Sequence, residues 1–397
     1  MTLTEASRTS SGETSTERRS RWLSPREWFR WVPTSPELLE KVEEKILTCC
    51  KNISEQKFVS GKVNKLWTIV VNKEKEKEKT PIVMVHGFGG GVGLWIHNLD
   101  SLSEKRTVYA FDLLGFGRSS RPVFSHDPEL AENEFIDAIE EWRKSLNLEK
   151  FILIGHSLGA FLASSYTIKY PKSVQHLILA DAWGFPEKAP ASQQQGRLPS
   201  WIRLLVKVLT PFNPLAGLRA AGPWGPGLVK RFRPDLQDTF SEVFDDDTIF
   251  TYIYHCNAQT PSGECAFKNM TIPFGWAKYP MINRISELPS HLPMTMIYGS
   301  RSWIDRSIGH RVKYIRNDSF VDVQIVVGAG HHVYADKPEI FNNIVNRICD
   351  KIDSEAEDKL RQNSSVAENL SSAQNDSTEE NDNQAQDTED KDYMAQL

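Results

Sequence analysis

An apolar run, Phe151-Ile152-Leu153-Ile154, leads straight into Gly155-His156-Ser157-Leu158-Gly159 and then into a helix-forming stretch from Ala160 to Tyr170. No other feature constrains the fold as tightly. A short apolar run of this kind suits a strand buried on both faces of a parallel sheet. The flanking glycines let the strand and the following helix approach closely, and a bulky residue at 155 or 159 would block that approach. Between them the turn lifts the Ser157 hydroxyl above the sheet edge, the pattern of a nucleophile elbow.

Further runs read as strands at Lys65–Val71, Pro81–Val85, Val108–Asp112, His176–Ala180, Met294–Tyr298 and Val323–Val327. Helix-like stretches at Glu37–Cys50 and Asn133–Leu146 lie among them. Strands alternating with helices predict an α/β architecture, a mostly parallel sheet flanked by helices. The alternating Lys/Glu run at Lys73–Lys79 reads as a solvated hairpin loop between the first two strands. Trp183–Pro289 breaks the rhythm with about a hundred residues between consecutive strands, far beyond an ordinary connection. Its prolines, glycines and aromatics predict a helical cap over an apolar acyl pocket, with a purely structural subdomain as the alternative, and the helix-like run Trp201–Leu209 has apolar bulk enough to touch lipid. The expected organisation is then a polar N-terminus (1–20), an arm and helix (21–52), a core in two parts (53–182 and 291–352) around the cap (183–290), and an acidic tail (353–397).

Charge is distributed unevenly. Asp353 to Leu397 holds 13 acidic and 3 basic residues, a net −10, which leaves +5 on residues 1–352 of a chain whose total is −5. The tail lacks aliphatic bulk and is expected to be disordered. The mildly basic remainder suits an anionic lipid surface, and no nucleic-acid motif is present. Arg18, Arg19, Arg21, Arg26 and Arg30 interleave with Trp22, Trp28 and Trp31. Tryptophan favours the membrane interface and arginine pairs with phosphate, so these tryptophans are the candidate membrane anchor. A packing arm folded on the core is the alternative. Five scattered cysteines form no disulfide framework, which suits a reducing, cytosolic setting. No run of about 18 apolar residues predicts a membrane span, and Met1–Ser20 does not read as a secretory signal. The last three residues, Ala395-Gln396-Leu397, only faintly resemble a peroxisomal address.

Serine needs a base to become a nucleophile, and that base needs an acid to orient it. The expected chain order after an elbow is serine, then acid, then histidine. Asp305 lies in the loop after the Met294–Tyr298 run, and His331 follows Val323–Val327 through Gly328-Ala329-Gly330. Ser157, Asp305 and His331 are therefore the expected catalytic residues, with Asp181 the alternative acid. Asp112, His86 and His156 read as structural, and His332 as the neighbour of the base. Leu158 and Phe88, the latter in His86-Gly87-Phe88-Gly89-Gly90-Gly91, are the expected oxyanion-hole donors. That loop lacks a P-loop ending and the dinucleotide spacing, so no nucleotide, cofactor or metal is expected. His331 and Asp336 also spell His-x4-Asp, a glycerolipid acyltransferase pattern. The alternative is that Asp336 caps a helix starting near Lys337-Pro338-Glu339.

His86–Trp95, Phe111–Pro122, Gly155–Gly159, Ala221–Pro234, Tyr252–Ala258 and His331–Pro338 together resemble the α/β-hydrolase domain family. Within it they are similar to the branch of the lyso-N-acylphosphatidylethanolamine lipases and the adipose triglyceride lipase coactivator. The resemblance runs from about Trp28 to Ile352. It implies an α/β-hydrolase fold with a helical cap, and a phospholipase or lysophospholipase acting on (lyso-)N-acylphosphatidylethanolamine and related glycerophospholipids. The coactivator branch generally carries asparagine where this chain has Ser157, so the serine resembles the catalytic branch. The Trp-rich arm resembles the coactivator's droplet anchor. The resemblance thus also implies two alternatives: an adaptor that meets a triglyceride lipase or droplet coat protein, or a lysophosphatidate acyltransferase working through His331 and Asp336. For each of these readings the Trp/Arg arm argues for a cytoplasmic protein attached peripherally to lipid droplets, endoplasmic reticulum or mitochondria.

Overall fold

In the computed structural model the described residues are 32–75, 79–188, 213–272 and 275–364. The expected anchor residues Trp22, Trp28 and Trp31, the segment Trp201–Leu209 and most of the acidic tail lie outside them.

Alternation of side chains decides the layering. In β3 (Ile82–Val85), Val83 and Val85 join one buried cluster while Ile82 and Met84 join another. β5 (Phe151–His156) does the same, with Leu153 on one side and Ile152 and Ile154 on the other. Successive strand residues point to opposite faces, so these all-apolar runs require a cover on both. Helices α3 (Pro128–Ser145) and α4 (Leu158–Lys169) contribute to the first cluster. α1 (Pro36–Leu47), α2 (Ile96–Ser103) and the C-terminal helix spanning 338–364 contribute to the second. Ser35 caps α1 and Asp127 caps α3 by accepting from first-turn N–H groups, each followed by proline at the helix start.

The remaining strands are β1 (Ile53–Ser60), β2 (Lys65–Val71), β4 (Val108–Phe111), β6 (Val174–Ala180), β9 (Met294–Gly299) and β10 (Val321–Val326). The sheet runs β1-β2-β4-β3-β5-β6-β9-β10, antiparallel at its first two pairings and parallel from β4 onward. Two expectations change here. β4 lies between β2 and β3, so the Lys73–Lys79 segment does not close a hairpin. β1 is an additional edge strand with Val59 as its one fully buried residue.

The long insertion between β6 and β9 is helical where described, with helices at Gly225–Phe232, Asp235–Phe240, Thr248–Ala258 and Gly263–Met270 and a small pair of strands, β7 (Thr271–Ile272) and β8 (Trp276–Ala277). It sits over the carboxyl ends of the strands. Asn257 donates to the Gly89 carbonyl at 2.7 Å, and Gly263 N–H donates to the Gly115 carbonyl at 3.1 Å. All five cysteines are free. Among the described residues no helix is long and apolar enough to cross a membrane.

Candidate active site

The strand register brings the site together. His156 at the end of β5 pairs with Ala180 of β6, and Ala180 pairs with Ile297 of β9. The residues just past these ends, Ser157 and Asp181, therefore emerge side by side on the sheet edge. Both have positive φ, 53° and 47°, a left-handed backbone that costs a non-glycine residue about 1–2 kcal/mol and persists only where the surroundings enforce it. The enforcement at Ser157 is visible. A Cβ on Gly155 would stand 2.5 Å from the Gly159 carbonyl oxygen, and one on Gly159 would stand 2.4 Å from the carbonyls of Val85 and His86. Only glycine lets helix α4 start so close to β3 and β5.

His331 lies five residues beyond the end of β10 and turns its ring between the two. Ser157 Oγ is 3.0 Å from His331 Nε2, and His331 Nδ1 donates to Asp181 Oδ2 at 2.5 Å. A ring nitrogen facing a carboxylate carries the proton, which leaves Nε2 to accept from the serine hydroxyl. Asp181 is fully buried and takes further hydrogen bonds from the Ser302 hydroxyl and from Gly299 N–H at 3.3 Å. This arrangement can move the hydroxyl proton to the ring while the buried carboxylate holds the ring in one tautomer.

The structure does not bring the expected Asp305 to this group. Its carboxylate is exposed and bends back on its own loop, accepting from Ser307 N–H at 2.9 Å and from Ser307 Oγ at 2.8 Å, where it starts the helix Ser307–Ile315. Ser302 of the same loop donates to Asp181, so the carboxylate that faces His331 comes from the end of β6 and this loop contributes a hydroxyl to it. Both aspartates follow strands, and only the adjacency of β6 to β5 separates them.

The two amide positions expected as oxyanion donors flank the serine. Leu158 is the first residue of α4, whose leading N–H has no intrahelical acceptor. Phe88 follows Gly87, where a Cβ would stand 3.0 Å from that of Ser157. Neighbouring groups are structural. His86 Nδ1–H donates to the Gly87 carbonyl at 2.8 Å, its Nε2 accepts from Leu113 N–H at 2.9 Å, and burial pushes its pKa down to about 4. Asp112 accepts from Val92 N–H and Arg118 N–H, tying the loops after β3 and β4. His156 donates from Nε2 to the His331 carbonyl at 3.0 Å, and His332 Nδ1 accepts from Arg233 at 3.2 Å. Burial holds both rings well below the ordinary imidazole range, hence neutral. Asp336 does not cap the helix that begins at residue 338. Its two oxygens accept from Gly330 N–H at 2.7 Å and Thr239 Oγ1 at 2.8 Å.

Beside His331 the described residues form an open cavity of about 990 Å³ lined by Arg233, Asp235, Arg301, Trp303, His331 and Asp336, among others. Its lining mixes charged side chains with apolar ones, among them Phe232, Trp303 and Pro338. Residues 189–212 of that insertion lie outside the described residues.

Residues 80–338 match a family described as alpha/beta hydrolase fold. The chain is 57% identical over 334 residues to a Bos taurus protein named (Lyso)-N-acylphosphatidylethanolamine lipase, covering 84% of this chain and 97% of the relative. It is 52% identical over 340 residues to the Homo sapiens protein named 1-acylglycerol-3-phosphate O-acyltransferase ABHD5, covering 85% and 97%. Among solved structures it resembles a bacterial membrane phospholipase A described as a virulence factor, with a TM-score of 0.56, 21% identity, and coverage of 80% and 92% of the two chains. It also resembles the naproxen esterase of Bacillus subtilis, with a TM-score of 0.56, 16% identity, and coverage of 79% and 97%. At such identities these two likenesses speak for the fold alone.

Proposed function

This chain belongs to the alpha/beta hydrolase fold family, and from that premise we propose that it is a serine phospholipase or lysophospholipase acting on (lyso-)N-acylphosphatidylethanolamine and related glycerophospholipids. The observation that carries the reading is the hydrogen-bonded series Ser157–His331–Asp181 at the elbow. The substrate class comes from the lipase-named relatives and from the serine that the resemblance ties to the catalytic branch.

Ser157 Oγ attacks the ester carbonyl as His331 Nε2 takes its proton. Asp181 keeps the Nδ1–H oriented and stabilises the imidazolium that forms. The N–H groups of Leu158 and Phe88 receive the oxyanion, an interaction worth about 3–4 kcal/mol per donor in the transition state. The tetrahedral intermediate collapses, the C–O bond of the ester breaks, and His331 gives its proton to the departing glycerol oxygen, which leaves as the alcohol. Water, deprotonated by the same ring, then attacks the acyl-enzyme, releasing the fatty acid and restoring Ser157.

A phospholipid surface is the site of action in this reading, with the Trp22, Trp28 and Trp31 arm as the contact and the insertion as the cap over the acyl chain. The test is to incubate the purified full chain with mixed micelles of acyl-labelled lyso-N-acylphosphatidylethanolamine. Labelled free fatty acid is the expected product. With acyl-CoA and lysophosphatidate supplied instead, formation of phosphatidate without any fatty-acid release from the micelles overturns the hydrolase reading in favour of acyl transfer.

A further inference from the structure

The loop that carries His331 is held at three points. Gly330 N–H donates to Asp336 Oδ2, the His331 carbonyl accepts from His156 Nε2, and His332 Nδ1 accepts from Arg233 Nη2. The turn from His332 to Asp336, closed by bonds from the N–H groups of Ala335 and Asp336 to the His332 carbonyl at 2.8 Å each, returns the Asp336 carboxylate beneath Gly330. The five-residue separation in His-x4-Asp thus has a geometric reason. With one oxygen on Gly330 and the other on Thr239, the carboxylate is committed to the fold.

Two of the groups that reach this loop come from the insertion. Arg233 precedes the short helix Asp235–Phe240 and Thr239 lies in its last turn, and the Thr239 carbonyl in turn accepts from His97 Nε2 at 3.1 Å. Seating of this helix is therefore linked through Thr239 Oγ1 to the Asp336 rotamer, through Asp336 to the Gly330 peptide, and through that peptide to the ring beside Ser157. We propose that Thr239 and Asp336 are positioning residues for His331, so that the insertion sets the aim of Nε2 at the serine hydroxyl. The inference rests on the reading of His331 as the base. Neither residue touches the reacting atoms, and both act on the alignment of one that does, where a misplacement of about 1 Å costs up to roughly a hundredfold.

The test uses the full chain and a small water-soluble fluorophosphonate, whose attachment to Ser157 needs the base but no lipid surface. Thr239→Val removes one hydroxyl and no charge. It is expected to slow labelling about tenfold, with an unchanged pH midpoint of the rate and an unchanged thermal unfolding midpoint. Thr239→Ser restores the rate. Asp336→Asn, which keeps an acceptor for Gly330 N–H, is expected to lose less than Asp336→Ala. If the wild-type chain labels at Ser157 and Thr239→Val and Asp336→Ala label equally fast, the proposal is overturned while the assignment of the base stands. If the wild-type chain takes no label at all, the reading of the base fails and this proposal falls with it.

Discussion

Asp181 Oδ2 lies 2.5 Å from Nδ1 of His331, although 150 residues separate them in the chain. The contact exists because β6 is the immediate neighbour of the elbow strand and β10 lies two strands further along the same edge. The carboxylate facing His331 is therefore that of an aspartate directly at a strand end, fully buried, with three donors converging on it.

Replacing that acid is expected to separate it cleanly from its rival. In Asp181→Asn the amide disfavours the tautomer that presents Nε2 as acceptor, and kcat for ester hydrolysis should fall by about 10⁴-fold. Asp305→Ala should leave kcat within about twofold and cost about 1 kcal/mol in stability through loss of its helix-start hydrogen bonds. Steady-state kinetics on both variants, with urea unfolding, decides the point; a large loss of kcat in Asp305→Ala would reverse the assignment.

The elbow glycine is expected to be intolerant for steric reasons. Gly159→Ala drives a methyl against two backbone carbonyls at 2.4 Å, which cannot move without displacing β3. A loss of about 3 kcal/mol is expected on urea unfolding. Gly217, in the helix Ala216–Ala220 with nothing within 4 Å of an added Cβ, is the control. Gly217→Ala should gain about 0.5–1 kcal/mol.

A buried carboxyl cluster predicts the pH dependence of stability. Glu43 is fully buried beside Asp112, accepts from Trp67 Nε1 at 2.7 Å and Arg118 Nη1 at 3.2 Å, and faces Tyr252. Burial first, and Asp112 second, raise its pKa from an ordinary 4.5 to about 8. The fold thus favours the protonated form. Its contribution is complete below about pH 4.5 and is lost as pH rises through about 8. Asp112, raised to about 6 by the same burial, adds to the loss in the lower part of that window. Thermal unfolding midpoints should decline between about pH 5 and pH 8, and Glu43→Gln, which keeps an acceptor for Trp67 and Arg118, should flatten the decline. An equally steep decline in that variant would contradict the assignment.

Most of the sheet was legible because buried parallel strands are short apolar runs between turn residues, and the elbow announced itself through two glycines whose absent side chains the packing demands. β1 was not legible: it is an edge strand in which polar residues alternate and little is buried, so its sequence Ile53-Ser54-Glu55-Gln56-Lys57-Phe58-Val59-Ser60 carries a weak signal. The insertion of β4 between β2 and β3 is a long-range pairing that no local pattern records. Which carboxylate faces His331 is not legible for the same reason. Asp181 and Asp305 both follow strands in the required order, and the choice depends on strand adjacency and on Ser302 lying where the later loop approaches the site. The signal available in the sequence was that Asp181 follows its strand without a spacer. His331 and Ser157, by contrast, were marked by glycine turns that only such sharp chain reversals require.

In the proposed mechanism Ser157 is activated by His331 and Asp181. It is tested most directly by treating the purified chain with a fluorophosphonate and locating the adduct by peptide mass spectrometry. A single adduct on Ser157 is expected, absent in Ser157→Ala and slowed by about 10³-fold or more in Asp181→Asn. An adduct on another serine, no adduct in the wild-type chain, or an undiminished rate in Asp181→Asn would contradict it.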